Sequence, residues 1–506
     1  MKLLLFIALT CSSAIAQWPD TPDMNLGICT ASGEQAITKL AATDDGGCYV
    51  SWFDNRGGGY DVYLQRLDAL GNAMWETNGI MIADRNYSST MDFDLAIDAS
   101  GNAVVVYRND ILSGDSIEVS AVDTAGTILW TTTVQNGGPF VASPVIASVD
   151  NGVIVGWIND EDSKFQKLSS NGIPMWPMPL TLSDPAGGSL SVADMHPSQD
   201  GSVITSFVQY ITFWGAKVLK AQRISTSGET MWPELVSVML NNSLQIGAYP
   251  DFVSDNNGGA FFTWYGVSPL QCYATHLTSS GVMWFNGQVE VASSIRTTQR
   301  TDPVGVCDGT EFVIFFRPQD NNQGNDGVAA QRLSQLGERL WGNAGILLKP
   351  TSSSPQYGSF AAAKTTEGVA LIFAEAPSWG NAVMQGVSVD IDGNEQWSVS
   401  VASTPSGKSR TVARSVDGNI VLAWQDDRSG SNDIYGQRVN SDGTLGNTGS
   451  SCDADLNGDS QIDVSDLLQV IGAWGDCTSS CPEDIDGNGD VGVGDVLAII
   501  ALWGSC

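Results

Sequence analysis

Positive charge is scarce in this chain. Lys and Arg together number 23 against 56 Asp and Glu, a formal net charge of −33. Holding a phosphate backbone requires clustered basic residues, so a nucleic-acid partner is not expected. Histidine is scarcer still, with only His196 and His276, which leaves no histidine zinc cluster and no Ser-His-Asp arrangement to be read. No apolar run after the first residues is long enough to span a bilayer. Charged residues make up 16% of the chain, hydrophobic residues 42%, and there are 55 glycines. That mixture excludes a disordered chain and suits short strands joined by tight turns.

What is present begins with an address. Lys2 precedes an apolar run from Leu3 to Leu9, and Ala14-Ile15-Ala16 supplies a small-x-small cleavage site. Residues 1–16 therefore read as a signal peptide, and the mature chain from Gln17 is expected to be secreted, to the extracellular space or the cell surface. Of nine cysteines, one lies in that segment; the eight left are an even number in an oxidising compartment, where disulfides form.

Residues 17–442 repeat. A glycine turn followed by tryptophan recurs at Gly71…Trp75, Gly126…Trp130, Gly172…Trp176, Gly228…Trp232, Gly281…Trp284, Gly337…Trp341 and Gly393…Trp397, and Ser441-Asp442-Gly443-Thr444 is an eighth turn without its Trp. Each unit reads as an alternating strand (Ile37 to Ala42), a turn, an apolar strand (Cys48 to Phe53), a polar loop, a strand (Tyr60 to Leu67), and a last strand running through the Trp. Four short strands at this spacing make one propeller blade, so the fold class is all-β and the expectation is an eight-bladed β-propeller; an open solenoid or separate sandwiches are the alternatives. The last unit lacks its Trp strand, while Trp18-Pro19-Asp20 leading to Leu26-Gly27-Ile28 supplies one at the start. An N-terminal strand that completes the last blade would close the ring and remove its edge. The copies at Trp52-Phe53-Asp54-Asn55-Arg56 and Trp424-Gln425-Asp426-Asp427-Arg428 resemble those of secreted bacterial propeller proteins.

The propeller offers no defensible catalytic residue. Asp54/Arg56 and Asp426/Arg428 read as turn structure, because Arg there can bond carboxylate and turn carbonyls. The recurring Gln65-Arg66, Gln222-Arg223, Gln331-Arg332 and Gln437-Arg438 read the same way. The repeated tryptophans are expected between blades; Trp214, Trp264 and Trp379 fall out of register and are candidates for a sugar-stacking platform.

Residues 443–451 read as a linker, rich in Gly, Ser, Thr and Asn. Beyond it, residues 452–506 hold two twelve-residue loops, Asp455 to Asp466 and Asp484 to Asp495, offset by 29 residues. Calcium takes hard oxygens from loop positions 1, 3, 5, 7, 9 and 12. Loop one thus offers Asp455, Asn457, Asp459, the Gln461 carbonyl, Asp463 through water, and Asp466; loop two offers Asp484, Asp486, Asn488, the Asp490 carbonyl and Asp495. Two Ca2+ ions are expected, with Ile462 and Val491 pairing the loops across a small core and apolar helical faces following each loop.

A loop-helix unit with no preceding helix, Asp at the twelfth position, duplication and C-terminal placement together resemble type I dockerins. Ser460 and Gly492 depart from that pattern, at a position usually Gly and at a ligand position. The resemblance implies a small α-helical calcium-binding domain and a cohesin-like or cell-surface partner chosen by residues beside the twelfth position, here Val464-Ser465 and Val493-Gly494, which differ from the Ser-Thr pair of well-known cellulosomal types.

The four cysteines of this module keep the repeat, Cys452 matching Cys481 and Cys477 matching Cys506. Loop start and helix end of one unit lie too far apart for a disulfide, since a twelve-residue helix alone spans about 18 Å and a disulfide tolerates Cα separations of about 4.4–6.8 Å. The expected bonds are Cys452–Cys506 and Cys477–Cys481, with Cys29–Cys48 and Cys272–Cys307 left as propeller pairs. The functional expectation is a secreted propeller that binds a glycan or surface protein and is attached through its calcium module. A propeller glycoside hydrolase or lyase, and a structural surface protein, are the rivals.

Overall fold

Every repeat unit contains one strand with no polar face. In the first it is Cys48–Asp54, all seven residues of which are buried. Such a strand can form only where it is covered on both sides, and the arrangement that covers all of them is a ring of blades. The structure, a computed structural model, describes residues 17–86, 92–110, 114–138, 140–212, 214–283, 287–293, 298–309, 311–378, 380–447, 454–457, 461–477, 481–485 and 489–505. The signal segment 1–16 lies outside them, as do Trp284 and Trp379.

The repeats form eight four-stranded antiparallel sheets, each running from an inner to an outer strand. The inner strands of blades one to eight are Gln35–Ala42, Phe93–Ile97, Val141–Val149, Ser189–Pro197, Phe252–Ser254, Thr298–Asp308, Gln356–Lys364 and Lys408–Val416. In blades one, three, four, six, seven and eight the inner strand slips register near its start. Ile37, Ser143, Asp302, Ser359 and Arg410 take positive φ of 47–55° at five of these bulges, which bend a strand locally.

The ring closes as expected. Leu26–Cys29 is the outer strand of blade eight, paired antiparallel with Asp433–Val439. The chain therefore starts and finishes its propeller in one sheet.

The recurrent glycine and tryptophan are two halves of one clasp. Trp75, Trp130, Trp176, Trp232, Trp341 and Trp397 each donate an indole N–H, at 2.8–3.1 Å, to a carbonyl in the glycine turn of the following blade. The turn glycine lies against the indole. A Cβ on Gly172 would stand 2.5 Å from the ring of Trp130, and one on Gly228 2.8 Å from Trp176. Both glycines also take positive φ, 74° and 83°, so their position excludes a side chain twice over. The seam repeats the ring-on-glycine packing with parts from both ends of the chain, but without the indole bond: among the described residues the Trp18 indole N–H has no acceptor. Trp18 lies against Gly71 and donates its backbone N–H to Leu70 at 2.9 Å, while Arg438 donates to the Ala69 carbonyl at 3.0 Å.

One expectation is corrected. The outer strand runs through the Trp only in blades two and seven, as Ile128–Asn136 and Glu395–Ser406. In blade one it begins at Ile80, beyond Trp75, and in blade three at Leu180, beyond Trp176.

The C-terminal module has its own core of Ala454, Ile462, Val470, Val491 and Ile499. Its helices are α1 (Val464–Gly472) and α2 (Val493–Ala501). Ile462 and Val491 enter that core together, as expected, while their backbones pair elsewhere. Gln461–Ile462 pairs with Gly504–Ser505, and Gly475–Asp476 with Asp490–Val491, so each loop binds the segment after the other unit's helix.

Trp18 is 4% exposed and Met24, six residues on, is 62% exposed. Trp18→Ala is expected to destabilise the propeller by about 3–5 kcal/mol, and Met24→Ala by less than about 0.5 kcal/mol. Denaturant melts of both variants check this; equal, small effects would mean that the seam bears no load.

Candidate functional site

The Asp-x-Arg pairs lie at strand ends and are consumed by structure. Asp54 accepts from the Trp52 indole at 3.0 Å, the Arg56 backbone at 3.0 Å and the Arg56 guanidinium at 2.5 Å. Arg56 also stacks over Tyr63, 4.2 Å from the ring centre. Asp426 repeats this with Trp424 and Arg428 and adds a wholly buried Lys408 at 2.9 Å. Burial would raise the Asp426 carboxyl, but Arg428, Ser406 and Lys408 override it and hold the group far below the usual carboxylate range. The Gln-Arg pairs are structural too. Gln65, Gln222 and Gln331 brace the segment after the glycine turn, Gln222 for example donating to the Trp232 carbonyl at 3.3 Å. Arg223 and Arg332 reach the next blade's turn beside the indole.

The charges that the fold does not consume lie in the central channel, a cavity of about 950 Å³. Lys39 and Asp94, from blades one and two, form an ion pair at 3.0 Å. In blade four, Asp194 binds His196 at 2.9 Å and also accepts from the Phe252 backbone at 3.3 Å. The His196 ring meets Phe252 edge-on, 4.6 Å between centres. Burial draws the His196 imidazole down, but the Asp194 charge more than offsets it and the net shift is upward. Asp194 moves the other way, its burial outweighed by His196. Asp251 and Arg414 complete the set. Asp251 is exposed to the channel, and partial desolvation there together with the Asp194 charge pushes its carboxyl above its ordinary value, against Lys39, His196 and Arg414. Among the described residues Asp251 has no hydrogen-bonding or ionic partner, and the Arg414 guanidinium donates only to the Ala413 carbonyl, at 2.9 Å. None of these six residues was singled out as a site in the sequence.

The proposed tryptophan platform divides. Trp264 is 1% exposed and stacks on Tyr273 within blade five. It belongs to the buried aromatic series of the central strands, with Trp52, Tyr107, Trp157, Phe207, Phe316, Phe373 and Trp424. Trp214 is 82% exposed and borders a groove of about 470 Å³ with Leu244, Ile246 and Val267. Leu244 also lines the channel, so groove and channel are neighbours. His276 is buried against Asp255 at 2.8 Å and stacks on Phe261, away from the channel set.

In the C-terminal module the carboxylates expected at the twelfth loop position are wholly buried. Asp466 accepts from the Asn457 and Asp463 backbone at 3.2 and 2.9 Å. Asp495 accepts from Ile485 and Gly492, both at 2.7 Å. Each folds its loop back onto the start of its own helix. Asp484 accepts from Gly489 at 3.0 Å, and Asp463 caps α1 by accepting from Ser465 at 2.7 Å. Asp459, Asp486 and Asn488 lie outside the described residues. Cys477 and Cys481 form the expected disulfide, Cα atoms 5.9 Å apart, while Cys452 and Cys506 also lie outside the described residues.

No family model matches the chain, and no curated protein matches it. Solved structures similar in fold include prolyl oligopeptidase B from Galerina marginata, at 12% identity and a TM-score of 0.43, covering 78% of this chain and 55% of that one. The chain thus spans about half the length of that protein. Polysaccharide lyase Uly1 is similar at 12% identity and 0.40, covering 86% and 94% of the two chains. Penicillium chrysogenum alpha-L-arabinanase is similar at 11% and 0.36, covering 70% and 94%. These are likenesses of fold alone and carry no argument about activity.

The propeller cysteines do not pair. Cys29, Cys48 and Cys272 are buried free thiols, and Cys307 is a half-buried one. Cys29 turns instead to Arg56, whose guanidinium donates to its sulfur at 3.1 Å. Burial pushes the Cys29 and Cys48 thiols up to about 12.

The module's composition bears on the chemistry it could hold. Residues 452–506 contain eleven Asp and Glu and no Lys, Arg or His, a signal that a reading of loop positions alone passes over. Two buried carboxylates without a cationic side chain in the module fit a hard, oxygen-ligated cation. Chelation of the full-length protein with EDTA is expected to unfold residues 452–506 and leave the propeller transition in place, because metal binding and folding are coupled in such modules. Asp466→Ala together with Asp495→Ala is expected to reproduce this in calcium. A module still resistant to proteolysis in EDTA would count against the metal.

Proposed function

We propose that this is a secreted propeller protein that binds a ligand and is held at a cell surface or in an extracellular assembly by its C-terminal module. The module binds two Ca2+ and docks on a cohesin-like protein partner. One observation carries the docking. Val464, Leu468, Ile471 and Trp474 are 49–60% exposed along α1 and its exit, and their 29-residue counterparts Val493, Leu497, Ile500 and Trp503 are 49–63% exposed along α2 and its exit. The core side of the same helices is filled by Leu467, Val470, Val496 and Ile499. A cap that served only to cover the propeller has no reason to expose two matched apolar stripes, and stripes of this kind mark partner sites. The module's excess of carboxylates disfavours an anionic membrane surface as the occupant.

A second reading has one observation in its favour. Asp194, His196 and Asp251 share the channel with altered proton affinities, as acid–base groups of a glycoside hydrolase or lyase would. Release of reducing ends or unsaturated products by the wild type, lost in Asp251→Asn, would establish it.

For docking, the full-length protein in calcium is expected to bind at least one module of a cohesin panel. Leu468→Asp combined with Leu497→Asp should weaken binding at least about a hundredfold, two apolar anchors being worth roughly 2 kcal/mol or more each. Surface plasmon resonance reads both; undiminished binding by the double variant would refute docking through the stripes.

A further inference from the structure

An eightfold repeat contains its own controls. On each inner strand one residue lies opposite the position just before the central strand's buried aromatic. That residue is Lys39 in blade one, opposite Ser51, Asp94 in blade two, opposite Val106, and Asp194 in blade four, opposite Ser206. In blade five it is Asp251, one step before the Phe252–Phe262 pair. In blades three, six, seven and eight the same position holds Val145, Val304, Ala361 and Val412. Two residues further on, blades four and eight carry His196 and Arg414, whereas blades one, two, six and seven carry Ala41, Ala96, Val306 and Ala363. Half of the blades thus fold with Ala or Val in the first of these layers, and the charges there answer a need other than folding.

Their balance narrows the ligand. Lys39 is paired with Asp94 and His196 with Asp194, which leaves one carboxylate, Asp251, and one guanidinium, Arg414, on offer. With His196 neutral the six carry a net charge of −1, and Asp302, which also lines the channel, is held by Arg317, so the channel gives no local attraction to set against a chain of net charge −33. A polyanion is therefore disfavoured. A ligand dense in hydroxyls satisfies both an acceptor and a donor without carrying charge. In the groove beside the channel Trp214 is 82% exposed, with Ile246 at 53% and Tyr249 at 38% exposure nearby. A flat amphipathic ring can cover such a surface while its edge stays hydrogen-bonded.

Resting on the ligand-binding reading above, we infer that the channel is the propeller's ligand site and that it takes the end of a neutral oligosaccharide. One sugar ring covers Trp214 at the mouth, and hydroxyls of the inserted residues bond Asp251 and Arg414 inside. The test uses full-length protein in calcium, titrated calorimetrically with hexasaccharides of β-1,4-linked glucose, xylose and mannose, and with a galacturonic acid hexasaccharide as the acidic probe. At least one neutral probe is expected to bind. Trp214→Ala, Asp251→Asn and Arg414→Gln should each lower its affinity roughly tenfold or more, as loss of a bond to a charged group does, with melting temperatures unchanged. Met178→Ala, at an exposed position lining neither the channel nor the groove, should leave it unaltered. Binding of the acidic probe alone overturns the inference. Neutral binding that none of the three channel variants weakens overturns it too, while sparing the broader ligand-binding reading. Binding of no probe overturns the choice of glycan and leaves docking to be judged by its own experiment.

Discussion

The propeller depends on one contact made again and again: an indole from one blade laid under a glycine turn of the next. A ring of sheets has no axle, and each blade is held by its neighbours alone. The face-to-face packing of apolar side chains is strong but non-directional, and it would tolerate blades that slide or splay. The clasp adds direction, because an indole N–H meets a single carbonyl, as in Trp130 to Ser170 at 2.8 Å. It adds distance, because the turn can approach the ring only where it has no Cβ. Arg223 and Arg332 reinforce the same carbonyls, those of Ser279 and Ile391. Closure then follows without a special device. Trp18 from the start of the chain and Arg438 from the end of blade eight occupy the places that one blade fills elsewhere.

This explains what could be read in advance. The glycine and tryptophan stood out because the clasp allows no other residue at the turn and favours none but a large donor ring opposite it. Blade count and the N-terminal closure followed from that. The outer strands were misplaced because the clasp fixes the indole whether or not its segment joins the sheet: Trp130 and Trp397 lie on strands, Trp75 and Trp176 before them, and hydrophobic pattern does not separate the two cases. Trp264 looked irregular because the buried aromatic of the central strand varies in identity among Trp, Tyr and Phe, so the series has no single letter to follow. The channel set was invisible for a geometric reason. Bulges near residues 37, 143, 193, 302, 359 and 410 each insert one residue, whereas the inner strand of blade two pairs without a shift, and Lys39, Asp94, Asp194 and Asp251 become equivalent only once strands are paired.

The C-terminal module is the opposite case. A loop of twelve residues is local, its ligands recur at fixed offsets, and the chain repeats it after 29 residues. Sequence could still mislead about assembly. Ile462 and Val491 enter the core, but each pairs its backbone with the far end of the other unit rather than with its partner loop. That exchange brings the end of unit one toward the start of unit two, which is where Cys477 and Cys481 are joined. It also sorts the helices. With Leu467 and Val470 drawn inward, Leu468 and Ile471, equally apolar and one residue on, must face out. Composition alone cannot separate these neighbours; the direction of packing does.

Repetition makes a further kind of inference available. Where a position is needed for the ring, the eight copies agree in chemistry, as the clasp residues do. Where it is not, the copies are free to drift toward whatever packs most cheaply, and Val or Ala in the channel layers is that choice. A charge in such a layer costs desolvation. Lys39 with Asp94, and Asp194 with His196, offset the cost by pairing. Asp251 has no such partner among the described residues and opens to the channel instead. A fold that can build the same layer from valine gains nothing by keeping that carboxylate. Departures of this sort concentrate at functional sites, where stability is given up for chemistry. The one carboxylate of the channel set left unpaired, Asp251, lies in blade five, beside the groove that Trp214 of blade four borders. A departure of charge and one of exposure are thus neighbours in the ring, and Arg414 faces the same channel from blade eight.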